Sequence, residues 1–235
     1  MLQYESSLFE SEYIKLRNAE GRLYSDEMVA KLPYVTKEHV HYKEWKIRRD
    51  SLRRLILFLQ KNENIKRILE IGCGNGWLCN QLHKSGYEVA GYDINQIELS
   101  QAKRLFPHIE FFSQELLNSH SVKKYDVVLF AASLQYFKNA LEVILFSMKQ
   151  FLNDKGCVII ADTFLYSENE DQKAKERSLE YFKKNNSEMG QFYFHHSTTI
   201  LNLFDVAELK PQQSLLDLIT GFKNPFKIYI IKAKS

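Results

Sequence analysis

Three glycines alternate in the stretch Ile68-Leu69-Glu70-Ile71-Gly72-Cys73-Gly74-Asn75-Gly76-Trp77, and an acidic residue stands two places before the first. Glycine adopts backbone conformations that side chains forbid and lets a ligand approach the main chain closely. An apolar run enters this loop and a helical pattern leaves it, so the loop also carries the unpaired amides of a helix start. That arrangement suits a nucleotide-like ligand. Asp93 follows Gly76 by 17 residues, at the end of another apolar run. An ionised carboxylate only accepts hydrogen bonds, so Asp93 can take both hydroxyls of a ribose. The spacing separates two readings. A dinucleotide loop is written G-x-G-x-x-G, whereas Gly72, Gly74 and Gly76 give G-x-G-x-G, which disfavours a nicotinamide oxidoreductase. For proton handling the candidates are His195, His196 and Tyr136. Histidine titrates near neutral pH and can accept a proton under working conditions.

These residues need a frame. Arg67–Ile71, Glu88–Tyr92, Ile109–Phe112, Asp126–Ala131 and Cys157–Ala161 read as strands. Helical patterns cover Gly76–Ser85, Gln96–Leu105 and Ala140–Leu152 between them. Apolar strands alternating with amphipathic helices predict an α/β domain, a doubly wound and mostly parallel sheet with helices on both faces. Ligands in such sheets bind at the strand carboxyl ends, which places Ala131–Tyr136 at the site. Asp126 begins its strand and reads as structural. Upstream, His41–Gln60 is helical, with Trp45, Leu52, Leu55, Ile56 and Leu59 on one face. Residues 1–40 are polar, and Pro33 argues against one continuous helix there. Residues 167–186 are charged and helical in pattern, and Met189–His196 is rich in aromatics and histidine. Leu215–Ile219 and Phe226–Ile231 read as a terminal antiparallel hairpin, turned by Gly221, Asn224 and Pro225.

The glycine stretch resembles the first motif of class I S-adenosylmethionine-dependent methyltransferases, E/D-x-G-x-G-x-G, matched without a gap by Glu70, Gly72, Gly74 and Gly76. The resemblance covers residues 65–162 well and implies a seven-stranded sheet whose last strand is antiparallel. It also implies S-adenosyl-L-methionine as cofactor. The loop, Cys73 included, would wrap the cofactor's methionine part, and Glu70 would position its amino group. Asp93 would hold the ribose and Ile94 would lie against the adenine. Gln114 stands where the family often carries an Asp near the adenine amino group, and Ala131 lines the methyl-transfer site. No N/D-P-P-Y/F/W motif follows the fourth strand, which argues against amino-methylation of adenine or of glutamine side chains.

The expectation is one domain over residues 1–235, with a helical extension at 1–64 and an insertion at 163–205 forming a substrate cap. The acceptor is expected to be a small molecule. A non-catalytic cofactor-binding partner subunit and an RNA or protein methyltransferase are the alternatives. The net charge of +3 and pI of about 8.6 do not indicate nucleic acid. Cys73, Cys79 and Cys157 show no disulfide framework or zinc spacing, and no metal site is expected. The start MLQYESSLFESEY has no apolar signal region, and no stretch is long and apolar enough to span a membrane. A reducing, cytoplasmic setting is therefore expected.

Overall fold

The computed structural model describes residues 3–113, 123–185, 187–210 and 221–234. Ile68, Leu69 and Ile71 are almost completely buried. They form β1 (Arg67–Ile71), which lies between two parallel neighbours, β2 (Glu88–Asp93) and β4 (Tyr125–Ala131). On the outer side of β2 lies β3 (Glu110–Ser113), and on the outer side of β4 lies β5 (Leu152–Ala161), both parallel. The sheet is completed by β8 (Asp205–Glu208) and β9 (Tyr229–Lys232), giving seven strands in the order β3-β2-β1-β4-β5-β9-β8. β9 runs opposite to the other six strands of this sheet, antiparallel to both β5 and β8.

Both faces of the sheet are covered, as the doubly wound expectation requires. Helices α3 (Tyr42–Gln60), α4 (Trp77–Lys84) and α5 (Gln96–Leu105) bury Leu52, Leu55, Leu59, Leu78, Leu82 and Leu99 against one face. Helix α6 (Ala140–Phe151) covers the other with Ala140, Val143, Ile144 and Phe151 at helical spacing. Asn95 and Asn139 start α5 and α6 by accepting the amides of Glu98 and Glu142. Asp126 plays the structural part expected of it. Its carboxylate accepts the amides of Lys66 and Arg67, each at 2.8 Å, and locks the entry to β1.

The chain's last segment departs from the expected hairpin. Leu215–Ile219 lies outside the described residues, but Tyr229–Ile231 already has both edges taken, by β5 on one side and β8 on the other. A strand has two edges, so no hairpin partner can be added there. Gly221, Asn224 and Pro225 therefore do not turn such a hairpin. Asn224 instead donates to Ile47 O, Asp50 Oδ2 and Ser51 Oγ on α3. Gln114 also lies outside the described residues.

The N-terminal segment is helical in two pieces, α1 (Gln3–Ala19) and α2 (Asp26–Lys31). Phe9, Tyr13 and Arg17 recur every four residues along α1 and share one face. That face packs with Phe182 of α7 (Glu168–Lys184) and with Met189 and Phe192 of the following 3-10 turn. Two short strands, β6 (Leu165–Tyr166) and β7 (His196–Ser197), pair in parallel beside it.

Candidate active site

The glycine loop is held from both sides. The amides of Gly72 and Cys73 both donate to Tyr92 O, at 2.7 and 3.1 Å, which binds the loop to the end of β2. Gly72 has φ +76°, and a Cβ there would stand 2.3 Å from Cβ of Ser133, so glycine is required for conformation and space alike. Ser133 is fixed in turn by its hydroxyl, which donates to Ile71 O at 2.5 Å. The exits of β1 and β4 are thereby pressed together.

Asp93 ends β2 and faces the loop. Oδ2 accepts the Gly74 amide at 2.7 Å and Oδ1 accepts the Asn95 amide at 2.8 Å. Each carboxylate oxygen keeps a second lone pair, enough to receive a diol. Burial pushes its pKa up, and the amides of Asn95, Gly74 and Ile94 oppose that shift. Ile94 packs beside Phe9 and Tyr13 of α1.

Glu70 is turned inward. Its Oε2 receives the Cys79 thiol at 2.9 Å, and burial raises its carboxyl to about 8, leaving it mainly protonated at neutral pH. Cys73 is buried beside it, its thiol pushed up to about 11 by burial.

At the carboxyl ends of β4 and β5, Ala132 and Asp162 carry φ of +55° and +53°. Non-glycine residues in that region cluster at functional sites. Ala131, the last residue of β4, pairs with Ala161. The 3-10 turn Leu134–Tyr136 follows, and Tyr136 enters an aromatic group. Its ring lies 5.6 Å from Phe9, 5.8 Å from Tyr13 and 6.0 Å from Tyr193, all edge-on. Burial raises the Tyr136 phenol, so it favours the neutral, hydrogen-bonding form.

The two histidines stand in the wall of this site. His196 Nε2 lies 3.1 Å from Leu134 O, so this nitrogen carries the proton and pins the turn that presents Tyr136. His195 Nε2 lies 2.9 Å from Ser178 Oγ, and its ring packs against Tyr166 and Tyr193. Burial lowers both imidazoles.

Several site residues carried no signal in the sequence analysis. Helix α1 crosses the mouth of the cleft. Glu10 Oε1 accepts the Gln96 amide at 2.6 Å, and Tyr13 hydrogen-bonds Glu98, whose carboxyl burial raises to about 7. Beyond Arg17 an alternating series of ion pairs runs from Glu20 to Arg22 (2.9 Å), to Glu44 and Arg48 (3.7 Å), and to Asp162 (3.0 Å). Ser51 donates to Asp162 at 2.5 Å. The i, i+4 recurrence of Phe9, Tyr13 and Arg17 was the available clue. Among the described residues no group of three or more His, Cys, Asp or Glu side chains could hold a metal ion, and no helix is long and apolar enough to cross a membrane.

A family described as "Methyltransferase domain" matches residues 44–214, well over half of the chain. The chain belongs to that methyltransferase family. Among curated relatives, this methyltransferase is 31% identical over 101 residues to an uncharacterized methyltransferase of Alkaliphilus oremlandii (strain OhILAs), covering 43% of this chain and 47% of the relative. It is 27% identical over 137 residues to the malonyl-[acyl-carrier protein] O-methyltransferase of Bacillus cereus, covering 54% and 49%. The match thus spans about half the length of these relatives. In fold, this methyltransferase is similar to the plantazolicin methyltransferase BpumL, solved with a triazolic desmethylPZN analog and SAH, at a TM-score of 0.59 and 16% identity over 99% of this chain and 100% of that one.

Proposed function

We propose that this methyltransferase transfers the methyl group of S-adenosylmethionine to a small-molecule acceptor, in a chamber roofed by residues 1–64 and 163–205. The observation that carries this is the joining of Asp93 to the glycine loop, with the Tyr136 aromatic group opening beside it at the ends of β4 and β5. The cofactor supplies a sulfonium-bound methyl that an acceptor lone pair can attack, the C–S pair leaving on sulfur. The protein's own part is alignment, which can supply about 7–11 kcal/mol. Gly72, Cys73, Gly74 and Gly76 shape the cradle, Asp93 receives the ribose, and Ile94 flanks the base. Glu70 backs the loop toward the amino-acid end, and Ala131 lines the transfer point.

Tyr136 is the side chain proposed to meet the acceptor, with His195 and His196 as the groups that could take its proton. The imidazole contacts to Leu134 and Ser178 favour Tyr136 as the direct contact, with the histidines holding it in place. An aromatic roof across the cleft favours a small acceptor over a nucleic-acid groove. The free, buried Cys73, Cys79 and Cys157 suit a cytoplasmic setting.

The test incubates the protein with S-adenosylmethionine carrying a labelled methyl group. Separate reactions contain a small-molecule panel, total RNA and a peptide library. Label in the small-molecule fraction is expected. Label only in RNA or peptide would overturn the acceptor class. Cofactor binding without transfer to any fraction would favour a non-catalytic partner subunit.

A further inference from the structure

We propose that Arg17 of α1 is the receptor for the cofactor's methionine carboxylate, which makes the N-terminal helix part of the cofactor site. Arg17 lies on the cleft-facing side of α1 with its side chain 30% exposed, and its Nε is buried without a hydrogen-bond partner among the described residues. Among the described residues one carboxylate oxygen comes within 4.0 Å of it, Glu20 Oε2 at 4.0 Å, and that carboxylate is already paired with Arg22 at 2.9 Å. Glu44, whose charge also reaches Arg17, is shared by Arg22 and Arg48. The guanidinium rests over the Tyr13 ring, 5.2 Å from its centre. A guanidinium whose Nε is buried and unsatisfied calls for a planar anion, and a carboxylate can meet Nε and a terminal nitrogen with two parallel hydrogen bonds.

Position identifies which carboxylate. Arg17 rests over the Tyr13 ring, which meets the Tyr136 ring at 5.8 Å. Glu98 Oε2 lies 3.0 Å from where a Cβ on Gly74 would stand, and Tyr136 closes the turn after β4. Arg17 therefore stands between the glycine loop and the β4 turn. With the ribose at Asp93, that is the end of the cleft where the amino-acid part of the cofactor belongs. The glycine motif offers no cation for this group. Arg17, contributed from outside residues 44–214, does.

This inference rests on the cofactor reading above, and its test separates the two. Calorimetry would compare S-adenosylhomocysteine with its decarboxylated analogue, which keeps the amine, in the parent protein, Arg17→Met and Arg17→Lys. The parent should prefer S-adenosylhomocysteine by about 10–100-fold, the range expected for hydrogen bonds to a charged group. Arg17→Met should remove that preference while binding the analogue within about threefold of the parent, and Arg17→Lys should retain part of it. Equal weakening of both ligands would reduce Arg17 to a structural role and overturn the proposal. Unchanged affinity for both would also overturn it and leave the guanidinium to an acceptor's anion. If neither ligand bound the parent protein, the cofactor reading itself would fall.

Discussion

The Gly74 amide and the Asp93 carboxylate are joined at 2.7 Å, so the glycine loop and the end of β2 behave as one unit. Asp93→Ala removes the proposed ribose contacts and also frees Gly74 and Asn95. Affinity for S-adenosylhomocysteine should fall about 10–100-fold, with a lower melting temperature even without ligand. Asp93→Asn, which keeps an acceptor oxygen, should lose less. Calorimetry and thermal melting check both effects, and unchanged affinity in the Ala variant would remove Asp93 from the ribose site.

Gly72→Ala should cost about 1–3 kcal/mol from overpacking against Ser133 and about 1–2 kcal/mol from the left-handed backbone. At roughly 2–4 °C per kcal/mol for a domain of this size, the melting temperature should drop by at least about 5 °C. Adding Ser133→Gly relieves the clash but not the φ, so recovery should be partial. A Gly72→Ala variant as stable as its parent would show that the two strand exits are not pressed together as described.

Glu70 gives the fold a pH signature. Its carboxyl rises from an ordinary 4.5 to about 8 on folding, and that of Glu98 rises to about 7, both through burial. Through these two groups the folded chain binds more protons than the unfolded chain between about 4.5 and 8. In that window their contribution to stability falls as pH rises. Glu70→Gln removes one of the two groups. The difference in stability between parent and variant should grow in the variant's favour from pH 5 to pH 8. A difference that stays flat with pH would place the Glu70 carboxyl in contact with solvent.

Tyr136→Phe removes one hydroxyl and nothing else. With an identified acceptor, kcat/KM should fall about 10–100-fold while S-adenosylhomocysteine affinity holds within about twofold. His196→Ala should lower the melting temperature through loss of the Leu134 contact. If either His195→Ala or His196→Ala lowers turnover by about 10² or more with Tyr136→Phe near parent activity, the proton acceptor is a histidine.

Arg48→Met strands Asp162, whose carboxylate is nearly buried and would keep only the Ser51 hydroxyl. Breaking a buried pair from one side costs about 3–5 kcal/mol, and the partial exposure of Arg48 points to the lower figure. Thermal melting should show a fall of about 6–12 °C. Pairing Arg48→Met with Asp162→Asn should restore part of it. A single variant that melts like its parent would mean that Asp162 is hydrated.

The sheet was legible where burial is two-sided. Leu69, Val128 and Ile159 sit in apolar runs because helices cover both faces, and those runs announce parallel strands. The edge was not legible. Asp205–Glu208 is exposed at every position and alternates nothing, so β8 leaves no pattern to read. The glycine loop's conformation could be read because glycine spacing is itself a conformational requirement. Tyr136 and the two flanking segments were read as candidates, but the meeting of Tyr13 and Arg17 with Tyr136 and Tyr193 was not, because these residues come together only after the chain has folded. Their types are ordinary on any surface, and their separation in sequence hides their common destination.

The lodging of β9 between β5 and β8 also sets an order of events during synthesis. Val158, Ile159 and Ile160 leave the ribosome some seventy residues before the strand that will cover their edge. Until Tyr229–Ile231 arrives, the nascent chain displays an apolar edge strand, the template on which chains join one another. A stop codon just before Tyr229 would spare the proposed cofactor loop. It would still leave that edge permanently open, so the truncated product should collect in inclusion bodies.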